Sequence, residues 1–96
     1  MSPKNKKKLN RLRKKLDKLD NKLLSLIKIR TEIIKNVISL KNNKNEIVDK
    51  KRITFILRKV KKASIKKKID PNITNKIWKN MIATYVDYER KLFKKK

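Results

Sequence analysis

The sequence predicts an all-α protein whose protomer has three helices, the first much longer than the others. Three observations predict this fold class: apolar residues recur every three or four positions in three stretches, Gly is absent, and helix-starting signals precede the second and third stretches. No stretch alternates apolar and polar residues as a strand would. We therefore expect a single domain over residues 1–96, with basic tails at about 1–8 and 94–96.

The first predicted helix covers residues 5–41 and is uninterrupted by Pro or Gly. Its 36 or so residues would span about 54 Å at about 1.5 Å per residue, whereas a compact domain of this size has a radius of gyration of only about 12 Å. The helix is therefore expected to extend beyond its own domain and pack on another chain. Its apolar residues follow the a and d spacing of a coiled coil, at Leu9, Leu12, Leu16, Leu19, Leu23, Leu26, Ile33, Val37 and Leu40.

Two shorter helices are predicted after a polar break at residues 42–46. Asp49 is a suitable N-cap for a second helix that runs to about Lys67. Asp70 and Pro71 then provide the N-cap and the first helical position of a third. Apolar residues at helical spacing give both helices one apolar face, formed by Ile53, Ile56, Leu57, Val60 and Ala63 in the second and by Ile77, Trp78, Met81, Ile82, Tyr85, Leu92 and Phe93 in the third.

The composition excludes several kinds of chemistry. The chain has no Cys and no His, which removes disulfides, thiolate nucleophiles, the usual zinc sites and histidine acid–base pairs. Without Gly, a phosphate-binding loop is also absent. The sequence predicts neither a signal peptide nor a membrane span. We therefore expect a cytoplasmic protein that does not associate with membranes.

The net charge of +24 at first suggests nucleic-acid binding. However, Lys supplies 26 of the 32 basic residues, the lysines are spread along the whole chain, and Lys, Asn and Ile fill 49 of 96 positions, as is typical of AT-rich coding sequences. A solvated lysine surface is the preferred interpretation, and a basic helical nucleic-acid-binding protein is the weaker alternative. Arginine is then the informative cation, because its planar fork binds carboxylates in a way that Lys cannot.

Arg30 in the first helix and Glu89 in the third interrupt apolar faces. A lone Arg at such a position usually reaches solvent or lies at an interface. Arg13 and Lys41 lie beside the same seam, about 42 Å apart along the helix axis, so no small ligand contacts both on one chain. An antiparallel pair of first helices, crossing near Leu24, would remove this limit. It would bring Arg13 of one chain beside Arg30 and Lys41 of the other, forming two shared sites for a small dianion.

The chain resembles the all-helical chorismate mutase family over about 80 of its 96 residues, in the segments LRKKLDKLDNKLLSLIKIR (12–30), DKKR (49–52) and IDPNITNKIWKNMIATYVDYE (69–89) and at Lys41. The resemblance implies an intertwined homodimer with two active sites. It also implies the conversion of chorismate to prephenate, the step that commits the shikimate pathway to phenylalanine and tyrosine. This [3,3] sigmatropic rearrangement needs no nucleophile, metal or cofactor.

The resemblance also implies roles for individual residues. Arg13 of the partner chain and Arg30 would hold the two substrate carboxylates, and Arg52 would support the anionic end. Lys41 would donate a hydrogen bond to the ether oxygen. Glu89 occupies the second ether-oxygen position, where the family has Gln or Glu, and it would have to be protonated to donate.

Three further positions concern the choice of substrate. Asp49 falls in the loop region that contacts the ring hydroxyl. Ile53 stands where many members of the family have a Glu that binds this hydroxyl, and Tyr85 stands where some have a substrate-contacting Ser. An apolar residue at position 53 is also similar to the related isochorismate pyruvate lyases, which share the fold. A lyase acting on isochorismate is therefore the alternative within this fold.

Overall fold

The structure, a computed structural model, describes residues 1–95 as an all-α chain of three helices, and no β-strand occurs within that range. The last position of the tail expected at 94–96 lies outside the described residues. The chain divides into two units, Met1–Ile33 and Ile34–Lys96. The prediction of three helices is confirmed.

The helices are α1 (Pro3–Ser39), α2 (Lys50–Lys66) and α3 (Pro71–Lys95), with a 3₁₀ turn at Lys44–Glu46 inside the predicted polar break. Each α-helix starts where a side chain can accept a hydrogen bond from a backbone N–H that has no partner within the helix. Ser2 Oγ accepts from Asn5 N at 3.2 Å, which explains why α1 begins before the predicted residue 5. Asp70 Oδ1 accepts from Asn72 N at 2.9 Å, so Asp70 and Pro71 start α3 as predicted.

The first unit is the N-terminal part of α1, and it carries most of the predicted seam. Leucines on this seam keep between 53 and 61 % of their surface exposed, although they stand at the spacing of core positions. A helix face of this kind is a surface that another helix can bury. The leucines concerned are Leu12, Leu16, Leu19, Leu23 and Leu26.

The second unit contains the end of α1, the 3₁₀ turn, α2 and α3, and its α2 and α3 pack against each other. Within the part of the chain that the structure describes, two apolar side chains are buried, Ile38 at the end of α1 and Ile47 after the 3₁₀ turn. The apolar faces of α2 and α3 are only partly covered, since Ile77 remains 49 % exposed. The core of the protomer is therefore small.

A buried pair of hydroxyl groups links α2 to α3 near their connection. Ser64 Oγ and Thr74 Oγ1 lie 2.7 Å apart, and Ser64 Oγ also donates to the Val60 carbonyl at 2.6 Å. Both residues are buried. Their mutual hydrogen bond satisfies polar groups that would otherwise be costly to remove from water.

Lys68 ends α2 in a left-handed backbone conformation, with φ of 60°. Its N–H donates to the Ile65 carbonyl at 3.1 Å, and the N–H of Ile69 donates to the Ser64 carbonyl at 2.8 Å. These two bonds form a Schellman motif, in which Gly usually occupies the left-handed position. A lysine here carries the steric cost of a Cβ at positive φ.

We expect Lys68→Gly to raise the free energy of unfolding by about 1 kcal/mol, because Gly adopts positive φ without that cost. The matched control is Lys67→Gly. Lys67 has φ of −87°, so glycine there should bring no gain and should lower stability through its greater freedom in the unfolded chain. Urea unfolding of both variants measures the effect, and equal stabilities for the two would contradict this explanation of the turn.

Candidate active site

The Lys41 side chain lies in a small polar cluster of the second unit. Its Nζ is 3.6 Å from Glu89 Oε1 and donates a hydrogen bond to the Ile47 carbonyl oxygen at 3.5 Å. The side chains of Lys41 and Glu89 are only 18 % and 10 % exposed. Because little water screens these two charges, they attract each other more strongly than an ion pair on the surface.

Glu89 is the acidic partner in this cluster, and α3 supplies it from the stripe that the sequence predicts to be apolar. The residue is buried, at 8 % exposure. A buried carboxyl group needs a partner of opposite charge or a hydrogen-bond donor, and Lys41 meets this need. The structure therefore brings together the two residues that were assigned to the ether oxygen.

An open pocket lies beside Lys41 and includes Asp49. The carboxylate of Asp49 caps α2, since its Oδ1 accepts from Arg52 N at 3.0 Å. The pocket wall carries more ammonium groups than carboxylates, which suits an anionic ligand. Its lining consists of Lys41, Asn45, Glu46, Val48, Asp49, Lys50 and Lys51.

The remaining predicted residues of the second unit lie in other surroundings. The Arg52 guanidinium carbon is 5.4 Å from the ring centroid of Phe55, close enough for a cation–π contact that orients the arginine. Tyr85 is half-buried, and its ring stands edge-on to that of Tyr88 at 6.4 Å. Ile53 lines a groove between α2 and α3 that shares Val48 with the pocket of Lys41. That groove is lined by Val48, Ile53, Leu57, Lys79, Ile82, Ala83, Val86, Asp87 and Arg90.

Arg13 and Arg30 belong to the first unit. Arg13 is exposed on α1, whereas Arg30 is half-buried. The Lys41 and Glu89 pair belongs to the second unit. Whether all four residues contribute to one site therefore stays a prediction, which we develop under the proposed function.

Two kinds of feature, a candidate metal site and a membrane-spanning helix, are absent from the described residues. They contain no group of three or more His, Cys, Asp or Glu side chains that could hold a metal ion. None of their helices is long and apolar enough to cross a membrane. The cluster around Lys41 combines shielded charged side chains with an adjoining open pocket.

The fold and this cluster define a class of small all-helical proteins with a shielded lysine–glutamate pair beside an open pocket that is rich in lysine. Comparison with known proteins narrows the class. The sequence model of the family described as "Chorismate mutase type II" matches residues 12–90. A chorismate mutase from Methanocaldococcus jannaschii is 37 % identical over 76 residues, which cover 78 % of this chain and 77 % of that protein. No solved structure matches the chain significantly.

The chain belongs to the chorismate mutase type II family, as the resemblance predicts. Neither the lyase nor the nucleic-acid-binding alternative is favoured by these matches. The family model begins at Leu12 and ends at Arg90. It therefore covers every residue that the sequence assigns to the site.

Sequence reasoning did not single out Ile47, whose carbonyl contacts Lys41 in the structure. A signal was present, because Ile47 is an apolar residue directly after the polar segment 42–46. Such a residue often anchors a loop by burying its side chain. The carbonyl contact itself depends on the backbone conformation of the loop and has no sequence signature.

We expect Asp49→Asn to retain the cap of α2, because an amide oxygen accepts the Arg52 N–H as a carboxylate does. Asp49→Ala removes the acceptor and should lower the free energy of unfolding by about 1 kcal/mol. Thermal unfolding compares the two variants. Equal losses for Asn and Ala would show that the negative charge, and not the cap, stabilises this helix start.

Proposed function

We propose that the protein is a chorismate mutase that converts chorismate to prephenate in two sites shared between the chains of an intertwined homodimer. The observation that carries this proposal is the buried contact between Lys41 and Glu89 in a chain of this family. The reaction breaks the ether C–O bond of chorismate as a C–C bond forms, with no atom gained or lost. The protein has to hold the substrate in a folded conformation and stabilise negative charge on the ether oxygen.

Lys41 and Glu89 are suited to the ether oxygen in different ways. The Lys41 ammonium donates hydrogen bonds whenever it is charged. Glu89 donates only as the neutral acid, whereas its carboxylate form attracts Lys41. Both side chains are largely shielded from water. Donors in such surroundings stabilise developing charge more effectively than donors in water.

Arginine side chains would bind the two carboxylates of the substrate. In the proposed dimer, Arg30 of one chain and Arg13 of the other hold one carboxylate each, and Arg52 supports the anionic end. A guanidinium binds a carboxylate through two parallel hydrogen bonds, which fixes both position and orientation. The half-buried state of Arg30 and the cation–π contact of Arg52 support this assignment, because both restrict arginine side chains that are otherwise mobile.

The exposed leucines of α1 support the dimer. Five leucines of the seam, Leu12, Leu16, Leu19, Leu23 and Leu26, are each more than half exposed, and burying a leucine side chain fully is worth about 1.5–3 kcal/mol. An antiparallel partner helix that crosses near Leu24 would cover them. The two-fold symmetry of this pairing gives two equivalent sites, each completed by Arg13 of the opposite chain.

Asp49, Ile53 and Tyr85 would shape the end of the site that receives the ring hydroxyl. Asp49 lines the same pocket as Lys41, which supports a contact with the substrate. Ile53 lines an adjoining groove that shares Val48 with this pocket, so its apolar side chain would border the same end of the site. Incubation of the purified protein with chorismate and, separately, with isochorismate tests the assignment. Prephenate from chorismate is expected, and release of pyruvate from isochorismate without any prephenate from chorismate would contradict it.

The shared site predicts complementation between two inactive variants. Arg13→Lys and Arg30→Lys should each keep the positive charge and the helix but lose most of the turnover, because an ammonium cannot replace the bidentate fork. A hybrid dimer of the two has one site with both arginines intact. After full exchange, half of the dimers are hybrids with one intact site of two, so about a quarter of wild-type activity should return.

Two controls accompany this mixture. Each variant mixed with itself should stay inactive, and differently tagged chains should be recovered together, which establishes that exchange has occurred. An inactive mixture in spite of exchange would contradict sites that are shared between chains.

The role of Glu89 predicts the effect of replacing it by an amide. If Glu89 donates to the ether oxygen as the neutral acid, Glu89→Gln should keep most of kcat, because an amide also donates a hydrogen bond. Glu89→Ala has no donor and should lose most of kcat. Measuring kcat and the unfolding midpoint of both variants checks this. A folded but inactive Gln variant would show that Glu89 acts as an anion or a base.

A further inference from the structure

We propose that the backbone carbonyl of Ile47 positions the Lys41 ammonium, so that Ile47 is a positioning residue for the rearrangement. The inference rests on the proposed function, in which Lys41 donates to the ether oxygen. Ile47 itself contacts no reacting atom in this proposal. It acts through Lys41.

The two buried apolar residues of the described chain both contact Lys41, one at its backbone N–H and the other at its side-chain ammonium. The Lys41 backbone N–H donates to the carbonyl of Ile38 at 3.2 Å, and the Lys41 Nζ donates to the carbonyl of Ile47 at 3.5 Å. The side chains of Ile38 and Ile47 are 4 % and 5 % exposed. Both residues whose carbonyls accept a hydrogen bond from Lys41 are thus anchored by a buried side chain.

The Ile47 carbonyl is itself held in a fixed direction. Its residue closes the 3₁₀ turn, since the Ile47 N–H donates to the Lys44 carbonyl at 3.1 Å. The turn is reinforced at its start, where Asn43 Nδ2 donates to Glu46 Oε1 at 3.4 Å. With its side chain buried and its N–H bonded, Ile47 has little freedom to turn its carbonyl away from Lys41.

The contact with the Ile47 carbonyl complements the contact with Glu89 during the reaction. A lysine side chain has a flexible four-carbon stem and behaves as a mobile point charge. When Glu89 carries the proton that lets it donate to the substrate, it no longer attracts Lys41 as an anion. The dipole of the Ile47 carbonyl is the same whether or not Glu89 is charged. The Ile47 carbonyl therefore still attracts the ammonium when Glu89 is neutral.

The test compares Ile47→Ala with Ile47→Val and with the matched control Thr74→Val. Alanine leaves a cavity under the loop and should let the carbonyl move, whereas valine retains most of the buried volume. Thr74→Val also perturbs a buried site of the second unit, where Thr74 is hydrogen-bonded to Ser64 and to the Pro71 carbonyl. Unfolding midpoints are measured for all three variants, and kcat and KM for chorismate under conditions where each is folded.

We expect Ile47→Ala to lower kcat by about tenfold to 100-fold with a smaller change in KM, because small displacements of a catalytic group have effects of this size. Ile47→Val should restore most of the rate, and Thr74→Val should lose stability without losing kcat. An Ile47→Ala protein that is less stable but has wild-type kcat would overturn the proposal. So would an equal fall of kcat in Thr74→Val.

A double-mutant cycle with Lys41→Met separates this proposal from the proposed function. If Ile47 acts through Lys41, Ile47→Ala should have little further effect on kcat once the ammonium is absent. The same fold-decrease in both backgrounds would overturn the role of Ile47 and leave the function intact. Wild-type kcat in Lys41→Met alone would instead contradict the role of Lys41 in the proposed function.

A backbone substitution tests the carbonyl without removing any side chain. Replacing Val48 by the corresponding α-hydroxy acid converts the bond between Ile47 and Val48 into an ester, whose carbonyl is a weaker hydrogen-bond acceptor than that of an amide. The same replacement at Asn43, in the same loop, weakens the Asn42 carbonyl and serves as the matched control. A fall of kcat in the first protein that exceeds the fall in the second supports the proposal, and equal values overturn it.

Discussion

The fold depends on an apolar helix face that its own chain leaves largely exposed. Most leucines of α1 are more than half exposed, and the described residues bury only two apolar side chains, Ile38 and Ile47. A chain of 96 residues gains modest stability from its own core even when that core is well formed. Association with a second chain that covers α1 would therefore provide a large part of the free energy of folding. In the proposed dimer, this association would also bring Arg13 of the partner chain to each site.

The coupling of folding to association in the proposed dimer has an electrostatic cost. Each chain carries a net charge of +24, so two copies repel each other, and the repulsion is screened only beyond about 8–10 Å at ordinary ionic strength. Burial of the leucines has to offset this repulsion. A dianionic substrate bound between arginines of both chains would neutralise part of the charge where the chains meet. In the proposed dimer, assembly and substrate binding would both follow from cationic side chains placed beside an apolar helix face.

The sequence predicted much of the fold because helix periodicity and capping are local. Asp49, Asp70 and Pro71 start the second and third helices as their residue types suggest. The site was less predictable. Glu89 was identified as a charge on an apolar stripe, but its distance to Lys41 depends on how α3 packs in the second unit. The contact of Lys41 with the Ile47 carbonyl depends on a 3₁₀ turn, whose backbone direction no side-chain pattern specifies.

The central claim is that folding and activity require two copies of the chain, and the most direct test is to measure unfolding temperature and mass together over an about hundredfold range of protein concentration. The account predicts a species of twice the protomer mass whose unfolding temperature rises with concentration, and a loss of both helix content and turnover on dilution. A folded, active monomer at high dilution, with an unfolding temperature independent of concentration, would contradict it.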